Sequence, residues 1–160
     1  MADGRLLAAS EHGAYVLRLV GDVRLTLCAS IEDFVEQMLD DPDFSSVWVD
    51  LCDATGVDST TLGQLAKLAL AVYDRYGFRP AVYCCDEGIN RLLRSMGLDR
   101  LFEMHEKTCC ATGCAQMVPM VPGSEDEVRQ RVLEAHRVLM DVSEENRARF
   151  ADLVSTLERG

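Results

Sequence analysis

An apolar segment that leads directly into a helix is the feature that most constrains the fold of this chain. Residues 46–51 are a short run rich in β-branched and aromatic side chains that ends at acidic residues, which is typical of a buried strand. Residues 60–76 follow a short polar turn and are apolar over most of a helical circumference up to Gly77, so they are predicted to form the most buried helix. A strand that leads into a buried helix requires a sheet with helices packed against it.

The alternation of strand-like and helix-like segments continues on both sides of this unit. Further strands are predicted at residues 5–9, 14–20, 80–85 and 101–104, and further helices at residues 30–41, starting at Ser30, and 87–96. The first two strands flank a turn that contains Gly13, so we expect them to form a hairpin. Strands that alternate with helices imply right-handed crossovers. The predicted fold class is therefore α/β, with a small mixed, mostly parallel β-sheet packed with helices.

The chain is predicted to have three parts: a domain at residues 1–106, a cysteine-containing linker at 107–123 and a C-terminal helical extension at 124–160. Ser124 and Glu127 have the spacing of a capping box, which starts the extension. The pattern fits one long helix or a helical hairpin equally well. Its apolar seam is expected to pack back on the domain, to form a homodimer with a second copy, or to receive a partner helix. Asn146 interrupts that seam with a polar side chain of the kind that fixes register.

The charge of the chain limits the class of partner that it can bind. The formal net charge is −11, which argues against nucleic acid or an anionic membrane, because both require basic surface patches. No segment resembles a signal peptide, and no apolar run approaches the roughly 20 residues of a membrane span. We therefore expect a cytoplasmic protein, and its acidity is compatible with a basic protein partner or with a role in solubility alone.

The sequence resembles the STAS domain of the anti-sigma-factor antagonist family over residues 5–106. Three stretches carry the resemblance. The first stretch is similar to a strand followed by the family's Asp-Ser-Ser/Thr-Gly-Leu-Gly signature. It comprises residues 50–51 and residues 57–63, which read Val-Asp-Ser-Thr-Thr-Leu-Gly. Residues 80–85 stand where the family has its next strand, and residues 92–102 resemble its Gly-Leu-Asp-x-Leu-Phe ending. The resemblance implies a STAS fold.

The resemblance also implies a function, because the matching position of the family's phosphorylated serine is Ser59. In the family this serine is phosphorylated by an anti-sigma factor that is also a serine kinase, and a PP2C-type phosphatase reverses the reaction. The expected protein is a partner-binding switch that sequesters the anti-sigma factor when Ser59 is unphosphorylated. The residues expected at its binding site are Asp58, Ser59, Thr60 and Thr61. Thr61 departs from the family, in which many members have Gly.

Reasoning from the residues alone leaves other readings of this site open. Ser59, Thr60 or Thr61 could simply cap the helix, and Asp58 could serve turn and capping chemistry instead of partner recognition. The sequence contains no Ser-His-Asp arrangement, phosphate loop or paired-carboxylate motif, so we expect neither an enzyme nor a cofactor. A different kind of function, a STAS subunit that is never phosphorylated and serves a larger regulatory or transport assembly, is the alternative hypothesis.

Seven cysteines, with no signal sequence, argue against a disulfide framework. Four lie in or beside apolar runs and are expected to be small buried hydrophobes: Cys28, Cys52, Cys84 and Cys85. The others, with one histidine, form the only weak alternative for a metal or iron–sulfur site: His105, Cys109, Cys110 and Cys114. Their spacing lacks the paired Cys-x-x-Cys pattern, so redox-sensitive linker thiols are the competing interpretation and no metal is predicted.

Overall fold

The structure is a computed structural model that describes residues 3–108 and 116–160. The strands within these ranges are β1 Arg5–Glu11, β2 Ala14–Val23, β3 Ser46–Asp50, β4 Ala54–Val57, β5 Ala81–Tyr83, β6 Glu103–His105 and β7 Gln116–Met117. The helices are α1 Cys28–Asp40, α2 Ser59–Tyr76, α3 Glu87–Ser95, α4 Glu125–Val142 and α5 Glu144–Glu158. Short 3-10 turns at Leu25–Leu27 and Leu98–Arg100 precede α1 and β6.

The described strands form one mixed sheet in the order β6-β5-β3-β2-β1-β7, and β4 pairs with the far end of β2. Four strand pairs are parallel: β2–β3, β2–β4, β3–β5 and β5–β6. Strand β1 pairs antiparallel with β2 and β7. The helical crossovers between the parallel strands are what the alternating pattern predicted. The predicted α/β class with a mostly parallel sheet is confirmed.

The β1–β2 hairpin is held to the rest of the domain at Gly13. This residue has φ of +83°, and a Cβ at its position would lie 1.7 Å from the carbonyl oxygen of Asp43. Its own carbonyl accepts a hydrogen bond from the Ser45 amide at 2.8 Å. Only glycine combines this backbone conformation with such a close approach, so the predicted turn also fixes the hairpin against the loop before β3.

Two local features differ from the sequence predictions. Ser30 does not start α1: the helix begins two residues earlier at Cys28, and Ser30 is buried inside it. The segment after β3, read as a turn, contains β4, which pairs with Gly21–Val23 across a register irregularity. Four residues with a central glycine carry too weak a strand pattern to be recognised without the neighbouring β2 strand.

The hydrophobic core joins the sheet to the helices and extends into the C-terminal part of the chain. Leu17, Val49 and Leu65 are completely buried between the sheet and α2. Leu139 of α4 and Phe150 of α5 belong to the same cluster. The helical extension is therefore packed on the α/β domain in cis, one of the arrangements that the sequence left open.

The extension is a hairpin of two helices. Ser143 separates them, with an extended backbone and a side-chain oxygen that accepts the amide of Asn146 at 3.1 Å, which is a helix N-cap. Ser124 and Glu127 form the predicted capping box at the start of α4. The predicted linker contributes strand β7, which pairs with Leu7 and Ala8 of β1.

Asn146 has a different task from setting coiled-coil register. Its side chain is fully buried, and Nδ2 donates to the carbonyl oxygens of Met96 at 2.8 Å and Leu139 at 2.9 Å. The first of these bonds fastens α5 to the end of α3. The second holds α4 and α5 together, so one amide group joins the hairpin to the domain.

Candidate partner-binding site at the start of α2

The predicted site lies where β4 ends and α2 begins, and Asp58 organises it. Asp58 is the N-cap of α2: its Oδ1 accepts the Thr61 amide at 2.8 Å. Its Oδ2 accepts the Leu25 amide at 2.8 Å, so the same carboxylate links α2 to the turn before α1. Both oxygens are therefore used in backbone contacts within the chain, which is the capping role that the sequence left open for this residue.

Ser59 is the first residue of α2 and is half-buried. Its Oγ lies 2.7 Å from Nε2 of His136, a residue of α4 that is 77 positions away in the sequence. Nδ1 of the same ring lies 2.7 Å from the Val132 carbonyl, which can only accept, so Nδ1 carries the proton. In the neutral ring Nε2 is then an acceptor, and the Ser59 hydroxyl donates to it.

His136 is itself enclosed by the hairpin. It is 2% exposed, and its ring meets the Phe150 ring edge-on with centroids 4.9 Å apart. His136 belongs to no recognisable binding or catalytic motif, so the sequence does not identify it as a site residue. The signal that could have found it is its position one residue after Ala135, on the apolar side of α4.

The backbones of α2 and α4 approach each other closely at Gly63, one helical turn after Ser59. A Cβ at Gly63 would lie 2.3 Å from the Ala135 carbonyl oxygen and 2.7 Å from the Ala135 Cβ. Near the solvent, Lys67 Nζ pairs with a Glu134 carboxylate oxygen at 3.1 Å. Ser59, Gly63 and Lys67 are four residues apart, so α4 covers one stripe along α2.

The other two predicted site residues are inaccessible in this arrangement. Thr60 is 3% and Thr61 1% exposed, so their side chains belong to the interior. The structure thus brings Asp58, Ser59, Thr60 and Thr61 together in the first turn of α2, with only Asp58 and Ser59 partly exposed.

The weak metal alternative falls largely outside the described residues, because Cys109, Cys110 and Cys114 lie in 109–115. His105 is described: its ring stacks on Tyr83 at 4.7 Å between centroids, and its Nε2 lies 3.1 Å from Glu103 Oε1. Within residues 3–108 and 116–160, no three side chains of the metal-binding types are grouped as ligands.

The prediction for the other cysteines is right for two of the four. Cys28 and Cys84 are buried, and burial raises the pKa of both thiols. Cys85 is exposed and Cys52 is half-buried, and their Sγ atoms are 3.3 Å apart. These two follow β5 and β3, which are adjacent parallel strands, so the topology brings them together at one edge of the sheet.

Comparison with known proteins identifies the fold that this site is built on. The chain is similar to the crystal structure of an anti-sigma factor antagonist from Mycobacterium paratuberculosis, with a TM-score of 0.52 and 18% sequence identity. The similarity covers 64% of this chain and 86% of that one. The fold is that of an anti-sigma factor antagonist, as the resemblance to a STAS domain implied.

Comparisons based on the sequence give no match. No protein-family model matches the chain, and the search of curated proteins finds no match. In the described part of the chain, no helix is both long and apolar enough to cross a membrane.

Proposed function

We propose that the protein is an anti-sigma factor antagonist and that it works as a binding switch controlled by phosphorylation of Ser59. Its unphosphorylated form sequesters an anti-sigma factor that is also a serine kinase. Phosphorylation of Ser59 by that kinase ends the complex, and a PP2C-type phosphatase restores the binding form. In this proposal the protein is a cytoplasmic binding module without catalytic activity.

The observation that carries the proposal is the position of Ser59 at the first residue of α2, separated from the end of β4 by one residue, in a fold shared with an antagonist. A phosphate there adds about −1.5 to −2 charges and three acceptor oxygens. The carboxylate of Asp58 is the neighbouring group in the sequence. The modified site therefore repels an acidic surface of the partner, so that docking is blocked without refolding of the domain.

Pull-down experiments with the tagged full-length chain test the switch. We expect Ser59→Ala to recover a serine-kinase anti-sigma factor from lysate of the source organism, and Ser59→Asp to lose it. Ser45→Asp is the matched control, because Ser45 is exposed and lies in the loop before β3. It should recover the partner as well as the unmodified chain does. Equal recovery by Ser59→Ala and Ser59→Asp would refute a phosphorylation switch.

One observation favours a second candidate function, the STAS subunit that is never phosphorylated. The Ser59 hydroxyl is bonded to a buried histidine, and the two threonines after it are buried, so the first turn of α2 is covered in the unmodified chain. Mass spectrometry of the protein isolated from its own cells separates the two functions. Stoichiometric Ser59 phosphate under any growth condition excludes the subunit that is never phosphorylated, and its complete absence under all conditions excludes the switch.

A further inference from the structure

The α4–α5 hairpin lies on the same surface that the proposed partner requires. His136, Ala135 and Glu134 of α4 contact Ser59, Gly63 and Lys67 of α2, respectively. A protein that binds the start of α2, or a kinase that transfers phosphate to Ser59, requires the stripe of α2 formed by Ser59, Gly63 and Lys67 to be exposed.

We propose that the hairpin is an intramolecular cover of the α2 surface, and that the closed cover excludes both a docked partner and a phosphate on Ser59. This inference rests on the proposed function, since it concerns the regulation of the same site. It adds an equilibrium between a closed chain, in which α4 occupies the site, and an open chain, in which the site is available.

The exclusion of phosphate follows from the geometry at Ser59. Its Oγ is 2.7 Å from the His136 ring, which is a hydrogen-bond distance with no space for a further group between the two atoms. Phosphorylation replaces the hydroxyl proton with a phosphorus atom and three oxygens. The ring is 2% exposed and is held from behind by Val132 and Phe150, so it cannot turn away while α4 is docked. The helix must therefore leave the site before phosphate is added, and it cannot return afterwards.

Polar contacts outside the α2 stripe also hold the cover. Besides the α2 stripe, Arg131 of α4 pairs with Glu32 of α1 at 2.7 Å. Asn146 bonds the carbonyl of Met96 at 2.8 Å. These two contacts act together with Leu139 and Phe150, which pack in the core, so opening the cover exposes apolar surface of the hairpin while the sheet stays folded.

The covering helix also indicates the kind of partner that the surface fits. Gly63 leaves room for a helix only if that helix presents a small residue, as α4 does with Ala135. Lys67 selects a carboxylate, which α4 supplies with Glu134. The partner segment is thus an α-helix with a small residue and a neighbouring acidic residue, and it competes with α4 for the same stripe.

Amide hydrogen exchange of the purified full-length chain tests the cover without any partner. Ala135→Leu adds bulk where α4 meets Gly63, and Ala148→Leu is the matched control at an exposed position of α5. We expect Ala135→Leu to raise exchange across residues 128–140 roughly tenfold or more, while β3 keeps its protection. Ala148→Leu should leave α4 unchanged. Equal protection of α4 in all three proteins would overturn the cover.

Ser59→Glu provides a second, independent arm, with Ser45→Glu as its control. The longer acidic side chain should release α4 in the same exchange experiment, whereas Ser45→Glu should not. If Ala135→Leu unfolds β3 as well, the Ser59→Glu arm decides, because its substitution lies outside the hairpin. A Ser59→Glu chain with α4 as protected as in the unmodified protein would overturn the inference. The inference would also be overturned if Ala135→Leu formed a dimer, measured by light scattering, in which α4 of one copy has moved to the second copy.

Binding measurements separate this inference from the proposed function. The probe is each purified serine-kinase anti-sigma factor of the source organism, added to Ala135→Leu and Ala148→Leu. Tighter binding by Ala135→Leu supports both proposals. Equal binding by the two variants refutes the cover and leaves the proposed function standing. Exchange that shows an open hairpin, with no kinase bound by any variant, refutes the proposed function and leaves the cover standing.

Discussion

Replacing Gly63 with alanine tests the closeness of α2 and α4 with a single methyl group. The new Cβ would lie 2.3 Å from the backbone carbonyl oxygen of Ala135, well inside the usual contact distance. The obstacle is backbone, so no side-chain rotation relieves it. The two helices must separate, or α4 must leave the surface.

The magnitude of the effect on docking comes from the overpacking in the closed chain. Overpacking of this kind costs about 1–3 kcal/mol in the closed chain. Alanine is favoured over glycine inside a helix by about 1 kcal/mol, but α2 is helical in both the closed and the open chain, so this gain cancels in the docking equilibrium. The docking equilibrium of the hairpin therefore shifts toward the open chain by about 1–3 kcal/mol, which is roughly 5-fold to 150-fold.

Hydrogen exchange read by mass spectrometry measures this shift directly. We expect Gly63→Ala to lose protection in α4 and α5, while residues 47–49 of β3 keep theirs. Gly88→Ala is the control, because Gly88 is also helical and its Cβ would meet only the Asp86 side chain, at 3.1 Å. A Gly63→Ala protein with higher thermal stability and undiminished protection of α4 would show that the helices are not in contact at this point, and the reasoning would fail.

Three further predictions concern the caps and titrating groups. Asp58→Ala removes the N-cap of α2 and should lower the free energy of unfolding by about 0.5–2 kcal/mol in urea titrations; an unchanged midpoint would contradict its capping role. The hydrogen bond from the Tyr15 hydroxyl lowers the pKa of Asp41, and the same bond raises the pKa of Tyr15 to about 12. The stability that this pair contributes is therefore present at neutral pH, and it is lost as pH falls through the Asp41 pKa or rises toward about 12. Tyr15→Phe should lower the free energy of unfolding at neutral pH and have almost no effect on it in strong acid. A difference in stability that does not change with pH would contradict this prediction. Burial raises the pKa of the Cys28 thiol, so iodoacetamide followed by peptide mapping should label Cys85 long before Cys28 in the native protein; equal rates would show that Cys28 is accessible.

The domain itself is largely determined by local sequence patterns. The apolar run at β3, the long apolar helix that ends at Gly77 and the capping box at Ser124 each predict an element that the structure contains. Gly77 has φ of +76° and its amide bonds the Tyr73 carbonyl, so the helix ends as its sequence indicates. Such signals are reliable because the residues that make each contact are neighbours in the chain.

The order of the strands in the sheet and the limits of weak elements depend on neighbours that are distant in the sequence. Strand β4 is held by β2, more than thirty residues earlier, and α1 begins before the serine that resembles a cap. A hydroxyl side chain caps a helix only where the first backbone amides of that helix have no other hydrogen-bond partner. Ser30 instead bonds the segment after β7, through the Val121 amide at 2.9 Å.

The sequence alone determined that a serine follows the cap of the central helix, and that the C-terminal part of the chain is amphipathic. Only the tertiary structure decided that these two features meet. Helical periodicity shows which side of α4 is apolar, but it does not show what that side contacts. The contact between Ser59 and His136 joins residues 77 positions apart, and it requires the hairpin to close at Ser143 and to dock where Gly63 leaves room for Ala135. Local propensity carries no information about packing over that separation, because the contact is formed by the assembled helices.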